Sequence, residues 1–325
     1  MIIVTGGAGF IGSALIWHLN NLSISNIVVV DDLGTGDKWK NLVKRKVRNI
    51  ISISEFPTWL QSADKIEAIF HLGACSSTTE KDGDFLIKNN THYSMTLFEY
   101  CARKSIPFIY ASSAATYGSE EVNFTDDVNR IEHLRPINKY GYSKHLFDLW
   151  VLKQAKKPPV WAGLKFFNVY GPCENHKGGQ ASVALHAFPQ IRDTKTLKLF
   201  KSHRPDIADG EQMRDFVYVK DVVSICEHFL SLDDENSSGI YNVGSGKARS
   251  FLDLMNAASK AFDNPKCDPN FIEMPENIRD QYQYFTEADL TKLRTQGRWE
   301  KPTTSLEEGV LDYYRNYLLK NDPYL

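Results

Sequence analysis

The chain predicts an α/β fold: a doubly wound parallel sheet with helices on both faces, joined by a smaller, discontinuous α/β unit. Three observations carry this. Short apolar runs alternate with helix-length segments through the first two thirds of the 325 residues. A glycine-rich turn follows the first apolar run and opens the first helical segment, the arrangement of a Rossmann-type dinucleotide site. From about residue 171 the chain changes to polar loops punctuated by Gly and Pro before apolar runs return.

The predicted strands are 2–5 (IIVT), 26–31 (NIVVVD), 66–71 (IEAIFH), 106–111 (IPFIYA) and 160–167 (VWAGLKFF). Helical segments lie between them at 11–22, 84–104 and 140–155. "GPCENHKGGQ" and "KSHRPDIADGEQMRD" read as long functional loops. "RDFVYV" and "GIYNVG", with a helix between, are expected to rejoin the sheet. "TSLEEGVLDYYRNYLL" begins with Ser305 and Glu308 at capping-box spacing and predicts a terminal helix. The expected division is 1–170 with about 215–243 for the dinucleotide, and about 171–214 with 244–325 for the substrate.

The charge balance argues against nucleic acid as a partner: 38 basic against 40 acidic residues give −2, with no long basic block. Cysteines 75, 101, 173, 226 and 267 show neither C-x-x-C nor zinc spacing, so no metal is expected and free thiols in a reducing compartment are. The chain opens at once on "MIIVT", and no apolar run reaches the roughly 18 residues that span a bilayer. The expectation is a cytoplasmic protein that engages no membrane.

In "MIIVTGGAGFIGSALIWHL", Gly7, Gly9 and Gly12 satisfy G-x-G-x-x-G, and Gly6, Gly9 and Gly12 a wider spacing. Glycine permits the tight turn and close backbone approach, and the following helix offers unpaired N–H groups to a pyrophosphate. Asp31 and Asp32 end the next strand, and Asp31 suits a ribose 2′-hydroxyl, as in NAD. Lys38 could instead neutralise the 2′-phosphate of NADP, but a carboxylate pair repels a phosphate, so the residues alone lean to NAD.

"YGYSKHLF", residues 140–147, sets Tyr140 and Lys144 one helical turn apart on one face. Tyr142 falls about 200° from Lys144, on the far side. The strand ending "YASSAATYG" places hydroxyls at the C-terminal edge of the sheet, where open α/β folds bind ligands. Glycine turn, Ser-rich strand end and Y-x-x-x-K together resemble the extended short-chain dehydrogenases/reductases. That resemblance implies Ser113, Tyr140 and Lys144 as the catalytic set. A phenol with an ordinary pKa of about 10 is a poor base at neutral pH, so a nearby ammonium and the cationic nicotinamide are together expected to favour the phenolate.

"GACSSTTE", "ASSAATYG", "NVYGPCENHKG", "RDFVYVKDV" and "FTEADL" are similar, within that superfamily, to the ADP-L-glycero-D-manno-heptose 6-epimerases. The resemblance implies a bound NADP (NAD remaining open), an ADP-heptose substrate, a homopentamer and a role in supplying heptose for the lipopolysaccharide core. It carries cofactor contacts onto Gly6, Gly9, Phe10, Ile11, Gly12, Asp31, Asp32, Lys38, Leu72, Gly73, Ala74, Cys75, Ser76, Asn89, Lys144, Val169 and Lys177. Substrate contacts fall on Ser113, Asn168, Gly179, His186, Phe200, Lys201, Ser202, His203, Arg214 and Tyr282. Lys177 is implied as a second proton acceptor, and the guanidinium fork of Arg214 suits a diphosphate. His176 reads as structural or positional.

The chain departs from the family at Asp32 (usually Asn), Leu72 (usually Glu), Cys173 (usually Arg) and Gly179 (usually Ser). Its 201–213 loop is also longer. Cys173 and Cys75 are expected near the cleft in structural roles. The implied reaction is transient oxidation at C6″ and reduction on the opposite face, without net redox. Another sugar epimerase, such as a 4-epimerase, is the first rival. A 4,6-dehydratase lacks support because no acidic pair follows the serines, and a non-catalytic dinucleotide sensor would have no use for both Tyr140 and Lys144.

Overall fold

The computed structural model describes residues 1–119, 124–232, 235–262, 267–279 and 282–325. Its first half lays down β1 (Ile2–Thr5), α1 (Phe10–Asn21), β2 (Ile27–Val30), β3 (Asn49–Ile51), β4 (Ala68–His71), α2 (Tyr93–Lys104), β5 (Phe108–Ser113), α3 (Lys139–Lys153) and β6 (Trp161–Phe166). There follow β7 (Asn168–Tyr170), α4 (Val183–Thr194), β8 (Thr196–Phe200), β9 (Met213–Tyr218), α5 (Val219–His228) and β10 (Gly239–Val243). The last part holds β11 (Ala248–Ser250), α6 (Phe251–Ala261), β12 (Asp268–Ile272) and α7 (Leu306–Tyr313).

Seven strands form one sheet in the order β10-β6-β5-β4-β1-β2-β3. Every pairing in it is parallel. The chain reverses direction across the sheet between β1 and β4, which opens a crevice at the C-terminal ends of those strands. Alternate residues feed separate cores: Ile2 and Val4 of β1 join one apolar cluster, while Ile3 joins the other with Val28 and Val30 of β2. Both faces are therefore covered, as continuous apolar strands require.

Two smaller sheets carry the rest. β11 pairs antiparallel with β9, and β9 pairs parallel with β7. β12 pairs parallel with β8. This corrects one expectation: only "GIYNVG" rejoins the main sheet, as β10 beside β6, whereas "RDFVYV" forms β9 in the three-stranded sheet. The reason is β7, which peels away one residue after β6 and pairs Asn168, Val169 and Tyr170 with Phe216, Val217 and Tyr218. The predicted 84–104 helix is also interrupted, by a wider π turn over Ile87–His92. The terminal helix has its capping box, Ser305 and Glu308 bonding each other's backbone N–H groups. No helix among the described residues is long and apolar enough to cross a membrane.

Candidate active site

The turn after β1 is tied by backbone bonds. The Gly6 N–H donates to the Val30 carbonyl (2.8 Å) and the Gly9 N–H to the Gly6 carbonyl (2.9 Å). Gly6 lies at φ +67°, and a Cβ there would stand 2.6 Å from the Gly73 Cα at the end of β4. A Cβ on Gly12 would overlap the Gly6 carbonyl. Gly9 caps α1 without a side-chain bond, and no acid occupies the first turn. Free amides at a helix N-terminus and a surface with no Cβ suit a pyrophosphate, so the residues fit a dinucleotide.

Buried Asp31 receives the Ala8 N–H on Oδ2 (2.9 Å) and the Lys38 ammonium on Oδ1 (2.7 Å). Exposed Asp32 accepts the Ile53 N–H (2.9 Å). Leu72, Gly73, Ala74 and Cys75 run half-buried from the end of β4 with Ser76 exposed beyond them. The buried Asn90 amide holds this run, accepting the Cys75 N–H and donating to the Cys75 carbonyl, each at 2.9 Å. It also donates to Ser143 Oγ (3.1 Å), and half-buried Asn89 donates to it in turn (3.1 Å). Asn90 sits in the π turn, a distortion that often marks functional segments. Phe10 and Ile11 open α1, and half-buried Val169 lies in β7.

Helix α3, which carries Tyr140 and Lys144, is placed by two features that sequence reasoning passed over. Asn138 caps α3 by accepting the Gly141 N–H (2.7 Å). Gly141 itself lets the helix abut the turn after β5, since a Cβ there would stand 2.6 Å from the Ala115 carbonyl oxygen. The close approach sets the Tyr140 phenol against Ser113, which favours its ionised form and whose Oγ accepts the Ala115 N–H (3.1 Å). Lys144 is 3% exposed, whereas Tyr142 is 51% exposed on the other side of the helix.

Burial lowers Lys144 from its ordinary value to about 8, and Asp148 opposes the shift. Burial raises the Tyr140 phenol, and Ser113 acts against that. Among the protein's own groups, desolvation of the phenolate prevails over the contribution of Ser113.

Behind this set lies a buried ion pair. Asp148 Oδ2 accepts the Lys165 ammonium (2.6 Å) and the Ser112 hydroxyl (2.7 Å), while Oδ1 accepts the Tyr110 hydroxyl (3.0 Å). Lys165 also donates to Thr116 (2.7 Å), so α3, β5 and β6 are cross-linked directly under Ser113. A lysine inside the apolar run "VWAGLKFF" was the available sign of it.

Lys177 lies in the Asn175–Gln180 stretch with its ammonium 5.6 Å from the centre of the Phe10 ring. Burial lowers its pKa, opposed by Glu174. Cys173, expected in a structural role, is fully buried: its N–H donates to the Pro323 carbonyl and its Sγ accepts the Leu325 N–H.

The remaining predicted contacts form a second cluster. The Arg214 guanidinium stacks 4.8 Å from the centre of the Tyr282 ring and 5.8 Å from that of Phe251, and Phe200 meets Tyr282 edge-on at 6.3 Å. Its neighbour Asp215 pins this strand by accepting N–H groups from Ser245, Gly246 and Ala288. Lys201 and His203 both approach Glu273, and the Ser202 N–H donates to Asp209. Asn168 is exposed at the start of β7. Gly179 is exposed with open space around it, and His186 lines a separate groove of about 400 Å³ with Asn175, Phe188 and Leu318.

Comparison with known proteins agrees with this geometry. The NAD dependent epimerase/dehydratase family matches residues 2–244. The chain is 52% identical to an ADP-L-glycero-D-manno-heptose-6-epimerase of Fusobacterium nucleatum and 48% identical to one of Nitratidesulfovibrio vulgaris, with 100% of each chain covered in both cases. Among solved structures, the Helicobacter pylori ADP-L-glycero-D-manno-heptose-6-epimerase superposes with a TM-score of 0.80 at 29% identity, covering 97% of this chain and 95% of that one. A UDP-glucose 4-epimerase from Thermotoga maritima gives 0.78 at 26% identity, covering 98% and 99%. With its glycine turn, its Ser-Tyr-Lys set and three quarters of its length matched, the chain belongs to the NAD dependent epimerase/dehydratase family.

Proposed function

We propose that this protein converts ADP-D-glycero-D-manno-heptose to ADP-L-glycero-D-manno-heptose by transient oxidation and re-reduction at C6″. The observation that carries the reading is buried Tyr140, influenced by Ser113 and one turn from Lys144 on the helix at the C-terminal edge of the sheet. Full-length identity to proteins of that name supports the substrate. When bound, the nicotinamide accepts a hydride and returns it.

The chain supplies the rest. Tyr140 takes the C6″ hydroxyl proton, Ser113 steadies the same oxygen, and the Lys144 ammonium favours the phenolate. The substrate ketone then presents its other face, where Lys177 handles the proton of the reverse step. Arg214, stacked on Tyr282, holds the diphosphate through a bidentate fork. The proposed cofactor is NADP, with NAD as the second possibility. Lys38 stands at Asp31 where a 2′-phosphate would draw its ammonium, and mass analysis of dinucleotide released by denaturation distinguishes the two. A cytoplasmic homopentamer accompanies the reading, and light scattering tests the assembly.

The direct assay incubates the purified protein with ADP-D-glycero-D-manno-heptose, and with UDP-glucose as the rival substrate. Proton NMR showing the C6″ epimer of the heptose is the expected result. Turnover of UDP-glucose alone would replace it with the 4-epimerase reading.

A further inference from the structure

Lys177 has no carboxylate within ion-pair distance among the described residues, so the place of its ammonium depends on the loop that carries it. Buried Glu174 closes the base of that loop, accepting the Gly171 N–H (3.1 Å) and both the N–H and hydroxyl of Ser182 (2.6 and 2.7 Å). Within it, the Lys177 N–H donates to the Glu174 carbonyl (2.9 Å). These bonds shape the loop but do not fix it against the dinucleotide turn.

Asn41 does. It is 1% exposed, and its side-chain amide donates to the Ala8 carbonyl inside the glycine turn (2.9 Å) and meets His176 Nδ1 (3.0 Å). A carbonyl can only accept, so the NH₂ group faces Ala8, and the same group must donate to His176. Nδ1 is therefore the acceptor, and the imidazole proton resides on Nε2. From the other side, Arg45 Nε donates to the Asn41 carbonyl (3.3 Å), and its guanidinium also donates to the Leu325 carbonyl. Leu325 in turn donates to Cys173 Sγ at the start of the loop (3.5 Å). With the loop backbone running from Cys173 to His176, the contacts close a ring: Asn41, Arg45, Leu325, Cys173, His176 and back to Asn41.

We propose that Asn41 and His176 are positioning residues that latch the Lys177 loop to the dinucleotide turn, so that the turn seating the cofactor also sets the second proton-handling group. The inference rests on the reading of Lys177 as that group. Through the latch, Lys177 is held over Phe10, the first residue of the helix that faces the pyrophosphate.

The test compares His176→Leu, which removes the acceptor at similar volume, with His176→Gln, whose Oε1 can still accept from Asn41, in the holoenzyme. Three quantities are read: hydrogen exchange of amides 175–181, dinucleotide content and the kcat/KM split for epimerisation. His176→Leu should exchange roughly ten-fold faster, the worth of about one hydrogen bond, and lose roughly ten-fold in kcat with KM and dinucleotide content unchanged. His176→Gln should restore both, and His176→Leu/Lys177→Met should be no slower than Lys177→Met alone.

Unchanged kcat in His176→Leu beside an impaired Lys177→Met would overturn the latch and leave Lys177 standing. Equal losses in Leu and Gln variants, or a loss that tracks dinucleotide content, would also overturn it. Near-wild-type turnover of Lys177→Met would instead remove Lys177 from the chemistry, and with it the latch's purpose, even where exchange had risen.

Discussion

Tyr140 is the residue on which the proposed chemistry turns, and its surroundings work against it. Burial raises the phenol, so the phenolate needs Ser113, Lys144 and a cationic nicotinamide together. Tyr140→Phe should cut epimerisation by roughly 10²–10⁴-fold with dinucleotide content unchanged, and Lys177→Met by a similar factor. The double variant should lose little beyond the worse single, because groups serving one cycle are not additive. Arg214→Lys should raise KM while leaving dinucleotide content alone, since one ammonium cannot reproduce the fork. Unchanged KM and kcat would take Arg214 out of the site. The spacing of Tyr140 and Lys144 was legible in the sequence because a helix turn is a local property. The direction of the phenol's shift was not, since it depends on desolvation by residues far away in the chain.

At the scale of elements, α3 matters most, and the buried Asp148–Lys165 pair fixes it to β5 and β6. Asp148→Ala leaves Lys165 uncompensated in the core and should cost about 3–5 kcal/mol by urea denaturation. Asp148→Ala/Lys165→Met should recover part of that loss, because no buried charge remains. A loss below about 1 kcal/mol would mean that water reaches Lys165, against its complete burial. Most helix and strand placement along the first 170 residues was legible from apolar runs. Gly141 was not singled out: its need for glycine comes from Ala115, 26 positions away, and only the packed structure shows it. β3 was missed because it is three residues long and two of those residues face solvent.

Over the whole molecule, the β1/β4 crevice joins the glycine turn to α3 through a line of bonds centred on His71. Nδ1 meets Thr5 Oγ1 (2.7 Å) and Nε2 meets Ser94 Oγ (2.8 Å), whose hydroxyl donates to the Asn90 carbonyl (2.6 Å). Burial, with Lys144 adding, lowers His71 to about 3. Its ordinary value of about 6.5 applies in the unfolded chain, which therefore binds more protons between those two pH values. The sign follows: this contribution to stability is intact above pH 6.5 and is lost as pH falls toward 3. The stability difference between wild type and His71→Gln should accordingly shrink between pH 6.5 and 4, and parallel curves would contradict a neutral buried imidazole. The doubly wound sheet was legible at this scale from strand–helix alternation. The destination of "RDFVYV" was not, because strand pairing is a long-range choice and β7 gives no local signal of leaving the sheet.

The claim that joins these scales is that one hydride leaves C6″ and returns to the opposite face within a single site. Heptose substrate deuterated at C6″ and converted in ordinary water tests it most directly. The account predicts an L-epimer that keeps its deuterium at C6″, read by NMR and mass. An epimer whose C6″ deuterium has been replaced by solvent hydrogen would contradict it.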